Sequence, residues 1–118
     1  MRHTIEEKKA AFERFLDVLD TLRAKCPWDA KQTNESLRPN TIEEVYELCD
    51  ALLAGDNAEI RKECGDVLLH VGFYAKIGEE KGEFDIFCRT NEFRLYQHPS
   101  MFNRTSVYLS WWMSEMLE

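Results

Sequence analysis

The stretch TIEEVYELCDALLAGDNAEIRKECGDVLLHVGFYA, residues 41–75, decides how this chain is read. Thr41 and Glu44 have the spacing of a capping box. Ile42, Val45, Leu48, Cys49, Leu52 and Leu53 then recur at helical intervals to about Ala54. Gly55 is a helix stop. Asp56 and Glu59 repeat the capping spacing and open a second helix that runs to about Glu80, with Gly82 beyond it. Two helices joined by so short a link fold back as an antiparallel pair.

The acidic residues of this stretch differ in setting. On the first helix Glu43, Glu47 and Asp50 form one stripe, with Glu44 at its edge. The stripe lies opposite the apolar face, and taken alone it is an ordinary solvated surface. On the second helix Ile60, Cys64, Val67, Leu68, Leu69, Val71, Phe73, Tyr74, Ala75 and Ile77 occupy almost the whole circumference. A helix that is apolar all round is expected to be buried. Glu63 and Asp66, at i and i+3, point the same way. Burying one unpaired carboxylate costs several kcal/mol, and two like charges cost more unless a proton or cation intervenes. Arg61 and Lys62 project from other faces, so a salt bridge within the helix is a poor remedy. Pairing the helices brings Glu44 and Glu47 opposite Glu63 and Asp66. Four carboxylates without cysteine or histidine form a hard-oxygen site, which prefers Mg²⁺ or Mn²⁺.

Outward from the stretch, Thr4 and Glu7 cap a helix over residues 4–25, with Phe12, Phe15, Leu16, Leu19 and Leu22 on one face. Residues 26–40 read as a long loop, with Pro27 and Pro39 as breakers. A weaker helix is expected over about Phe84–Tyr96, before Pro99. No strand-like alternation competes. The fold class is all-α, an antiparallel bundle of about four helices.

Composition narrows the function. The 118 residues suit one domain, and their formal net charge of −7 argues against nucleic acid or an anionic membrane as partner. No apolar run approaches the ~20 residues of a membrane span. The charged N-terminus lacks the apolar core of a secretory signal. Cys26, Cys49, Cys64 and Cys88 show no CxxC or zinc spacing and read as free thiols. A cytoplasmic protein is the simplest account.

Four segments, CPWDAKQT (26–33), SLRPNTIEEVYELCDAL (36–52), ECGDVLLHVGFYA (63–75) and GEFD (82–85), together resemble the MazG family of nucleoside triphosphate pyrophosphohydrolases, a branch of the all-α NTP pyrophosphatases. The resemblance implies hydrolysis of a nucleoside triphosphate to monophosphate and pyrophosphate, with Mg²⁺ held by Glu44, Glu47, Glu63 and Asp66. It makes Glu43 a further catalytic carboxylate beside Glu44 and Glu47, as base, orienter or ligand of another metal. It implies a homodimer or higher homo-oligomer. Further candidates for substrate contact are Trp28, Lys31, Gln32, His70, Tyr74 and Arg94. Trp28 stacks on a base or plugs the bundle; His70 and Tyr74 touch the nucleotide or sit satisfied in the core.

The match defines a domain over residues 1–102 and weakens after Asp85. FRLYQHPSMF (93–102) departs from the basic phrase expected there, leaving Arg94 and His98 as its cations. The tail 103–118, with Trp111 and Trp112, has no counterpart. Two alternatives stay open: a narrower relative acting on one deoxynucleotide or on phosphoribosyl-ATP, and a catalytically weak helical dimer that binds nucleotide or protein.

Overall fold

Four helices run through residues 2–87, which the computed structural model describes: α1 (Ile5–Lys25), α2 (Pro27–Ala30), α3 (Asn34–Ala54) and α4 (Asn57–Glu80). No strand occurs among the described residues. The all-α class expected from the sequence therefore holds. Most of the expected Phe84–Tyr96 helix, with Arg94 and the tail, lies outside the described residues.

Local chemistry explains the ends. The Thr4 side chain accepts from the Glu7 N–H at the start of α1, and the Asp56 carboxylate accepts from the N–H groups of Ala58 and Glu59 at the start of α4. Between α3 and α4 the chain reverses at Gly55, whose φ of 71° is a left-handed value that glycine adopts without a Cβ penalty.

The start of α3 corrects the sequence reading. The expected 26–40 loop contains α2 and the first turns of α3. A reciprocal capping box between Thr33 and Ser36 starts the helix, not Thr41 with Glu44. Pro39 sits inside α3. A proline early in a helix forfeits one backbone hydrogen bond, and here the strong cap upstream outweighs that loss.

The core gathers where α1, the start of α3 and the end of α4 meet. Leu19, Leu37, Phe73 and Ile77 are buried, and Phe15, Leu16, Leu22, Leu69 and Tyr74 pack against them. Leu37 is 1% exposed; burying a leucine fully is worth about 1.5–3 kcal/mol. Gly72 lets α1 lie close to α4: a Cβ there would stand 2.6 Å from Leu19 Cδ1 and 2.7 Å from Phe15 Cζ. Arg23 fixes the far end. Its guanidinium grips the Glu80 carboxylate and also donates to the carbonyls of Asp29 and Gln32.

Two burial expectations are reversed. The apolar face of α3 is turned outward, with Ile42, Val45, Leu52 and Leu53 all exposed, Leu53 at 89%. On α4, Leu68 and Val71 are exposed too, so that helix is not buried all round. The reason is that α3 and α4 meet along a different stripe. Leu37, Thr41, Glu44, Leu48 and Ala51 on α3, and Ile60, Glu63, Val67, His70, Tyr74 and Ile77 on α4, are among the residues buried or half-buried. Both stripes step by three and four, as facing helices require. Among the described residues, no helix is long and apolar enough to cross a membrane.

Candidate functional site

The inward stripe carries acid as well as grease. Glu44 of α3 and Glu63 and Asp66 of α4 each bring one carboxylate oxygen to within 4.8 Å of the others. Around an octahedral Mg²⁺, opposite ligand oxygens stand about 4.2 Å apart, twice a 2.1 Å bond. Adjacent ligands stand about 3.0 Å apart, so the three oxygens would draw together around such an ion.

Glu63 supplies a second observation. It is 4% exposed, and among the described residues its Oε2 is the buried side-chain polar atom with no hydrogen-bond partner. A carboxylate oxygen left so is costly unless something binds it. The donor set is oxygen throughout, which suits a hard divalent cation. The convergence of the three carboxylates, the burial of Glu63 and the all-oxygen donor set therefore fit Mg²⁺ or Mn²⁺.

Glu47 lies outside that tight trio yet feels it. Glu63, and next Glu44, push its carboxyl above the ordinary glutamate value. Three of the four carboxylates expected from the sequence are thus brought together, with the fourth beside them. Glu43 is exposed next to Glu44 on α3. One expectation fails here. Lys62 does reach the acids of its own helix: its Nζ is 2.6 Å from Glu63 Oε1 and 3.9 Å from Asp66 Oδ2. The lysine stem is long and flexible enough to bend back across the helix surface, which counting faces at 100° per residue ignores.

Toward the core, one turn along, a polar trio joins the two helices. Thr41 Oγ1 donates to the Leu37 carbonyl and shares hydrogen bonds with His70 Nδ1 and the Tyr74 hydroxyl. A threonine hydroxyl has one proton and two lone pairs. With the proton on Leu37, Tyr74 O–H and His70 Nδ1–H both donate to Thr41, and His70 Nε2 keeps a free lone pair. Sequence reasoning spent Thr41 on a cap and missed this role. Its i+3 spacing to Glu44 was the available signal, since it places both on one stripe.

The loop candidates are elsewhere in this chain. Arg23 ties the carbonyls of Asp29 and Gln32 to the Glu80 end of α4. At 1.5 Å per residue, Glu80 lies about 21 Å along α4 from Asp66. Gln32 spends its side chain locally, donating to the Trp28 carbonyl and accepting from Ser36 Oγ. Trp28 and Lys31 are exposed at that same end. The fold brings His70 and Tyr74 next to the carboxylates but not Trp28, Lys31 or Gln32.

Comparison with known proteins gives the family of the chain. A family model described as the MazG nucleotide pyrophosphohydrolase domain matches residues 32–92, just over half of the chain. The chain is 38% identical over 109 residues to a Thermotoga maritima protein named nucleoside triphosphate pyrophosphohydrolase/pyrophosphatase MazG, covering 88% of this chain and 43% of that protein. It is 38% identical over 101 residues to an Escherichia coli nucleoside triphosphate pyrophosphohydrolase, covering 80% of this chain and 38% of the relative. A Mycolicibacterium smegmatis protein of the same name is 48% identical over 71 residues, covering 58% of this chain and 22% of the relative. The chain thus spans less than half the length of these curated relatives.

Proposed function

The chain belongs to the MazG nucleotide pyrophosphohydrolase family, and on that premise we propose that it hydrolyses nucleoside triphosphates to monophosphate and pyrophosphate, with Mg²⁺ held among Glu44, Glu47, Glu63 and Asp66. The observation that carries this reading is the buried Glu63, whose Oε2 has no hydrogen-bond partner and whose carboxylate lies with those of Glu44 and Asp66, one oxygen of each within 4.8 Å of the others. A bound divalent ion supplies charge neutralisation for the triphosphate and makes water a better nucleophile at neutral pH.

The chain's own residues divide the remaining work. Glu44, Glu63 and Asp66 would hold the cation from two helices, with Glu47 as the fourth candidate ligand beside them. Glu47, beside the trio on α3, is placed to take the proton leaving the attacking water if it is not itself a ligand. Glu43 stands beside it as a further base or orienter. His70 and Tyr74, one turn away and tied to Thr41, are the candidates for contact with the nucleotide.

The uncovered apolar residues of α3 and α4 support a homodimer. A second copy laid on Ile42, Val45, Leu68 and Val71 makes a four-helix layer and removes that surface from water. In such an assembly Trp28 and Lys31 contribute only through the partner subunit. Cys26, Cys49 and Cys64 are free thiols, in keeping with a reducing cytoplasmic setting.

The test is direct. The protein is incubated with each common and non-canonical triphosphate plus Mg²⁺, and products are separated. Pyrophosphate with monophosphate is expected. Orthophosphate with diphosphate overturns the reaction assigned, and bound nucleotide without turnover reduces the protein to a binding module.

A further inference from the structure

Lys62 occupies ground that the cation needs. Its ammonium touches Glu63 Oε1 at 2.6 Å and reaches Asp66 Oδ2 at 3.9 Å. Both acids belong to the trio whose oxygens converge within 4.8 Å. An ammonium and a divalent ion on the same carboxylates repel each other, so the two occupancies compete.

The partners differ in freedom. The Glu63 side chain is 5% exposed, whereas that of Lys62 is 59% exposed. The lysine can swing outward on its four-carbon stem, while the carboxylate is held by the packing around it. The neutralisation is also incomplete. Lys62 serves Oε1 alone and leaves Oε2 without a partner. A divalent ion that engages the orphaned oxygen gains something the ammonium does not.

We propose that Lys62 is a tethered counter-ion of the carboxylate site, which neutralises Glu63 and Asp66 until a divalent cation displaces it and thereby sets how tightly the site takes the metal. The proposal rests on the reading of these carboxylates as the metal site. Lys62 is a positioning residue here, acting through Glu63 and Asp66 and not on the reacting atoms. Its effect belongs to the nucleotide-free protein and is separable from catalysis.

The test measures Mn²⁺ binding without nucleotide, by calorimetry and by the electron paramagnetic resonance of free Mn²⁺, at fixed ionic strength. Lys62→Met keeps the stem and removes the charge. It should bind Mn²⁺ about three- to tenfold tighter than the wild type. Its metal-free form should melt lower, and saturating Mn²⁺ should raise its melting temperature by more. Lys62→Arg keeps a cation in place and should stay near wild-type affinity. Unchanged or weaker binding by Lys62→Met overturns the proposal, as does equal tightening by Lys62→Arg. Should the methionine variant fail to fold, Lys62→Gln carries the same comparison. Absence of Mn²⁺ binding in a folded wild type would overturn the metal-site reading itself, and the counter-ion proposal with it. The two failures are therefore distinct.

Discussion

Glu44 and Glu63 approach each other across the α3–α4 seam, on the stripes by which the two helices pack. Like charges placed on a packing seam oppose the association of the helices that carry them. Most of that seam is apolar, so the acids are tolerated at a cost in stability that other contacts offset.

Neutralising Glu63 should therefore separate function from stability. Glu63→Gln keeps the shape, relieves repulsion on Glu44 and Glu47, and removes a ligand. Pyrophosphate release should fall by about two orders of magnitude or more, the scale of a lost charged group in a reacting site. The metal-free melting temperature should hold or rise. Asp66→Asn should act likewise on turnover. Near-normal rates in either variant would sink the metal assignment.

Thr41 is the polar hinge-pin between the helices. Thr41→Val leaves His70 Nδ1 and the Tyr74 hydroxyl half-buried without their shared partner. An unsatisfied buried group costs about 1–3 kcal/mol. Chemical denaturation should show a loss of that order. In the wild type, nitrogen NMR should find neutral His70 protonated at Nδ1; an Nε2–H ring would mean that Thr41 donates to it instead.

Acid should loosen the Arg23 anchor. The Arg23 guanidinium holds the Glu80 carboxyl below its ordinary range. A group depressed in the folded state contributes stability above its unfolded value, about 4.3 for glutamate, and loses it as pH falls through the folded value. The melting-temperature gap between wild type and Glu80→Gln should be full at pH 7, begin to shrink near about pH 4.3 and close once the pH is below the lowered folded value. A gap that persists at pH 2 would show the carboxylate charge to be irrelevant.

Self-association should fail when the uncovered stripe is charged. Val45→Asp with Leu68→Asp places acids on two exposed apolar positions. Light scattering should give twice the chain mass for the wild type and the chain mass for the double variant, with helical circular dichroism retained. A wild type that is monomeric at micromolar concentration would remove the homodimer from the proposal.

Much of this was legible from residues alone, for identifiable reasons. Thr4, Asp56 and Gly55 marked helix ends because capping is local chemistry. Glu63 and Asp66 stood out because acid in an apolar run requires a counter-charge. What escaped was decided by tertiary context. Pro39 read as a breaker, although the Thr33–Ser36 cap starts the helix ahead of it. The apolar face of α3 read as core on the assumption that grease is covered by the same chain. Lys62 was set aside because face-counting treats a long flexible side chain as a spoke. Arg23 showed nothing in sequence of its hold on a loop and a distant glutamate.

The glycine turn at residue 55 also bears on the order of assembly. A chain reversal of so few residues closes at small entropic expense, and contacts between neighbours in sequence form early. The acidic cradle should consequently exist in the folding transition state, before the N-terminal helix docks. Truncating Leu19 should then accelerate unfolding and leave refolding nearly unchanged, whereas truncating Leu48 should slow refolding. On that course the α3–α4 pair that carries the carboxylate cluster is built first, and α1 packs against it afterwards.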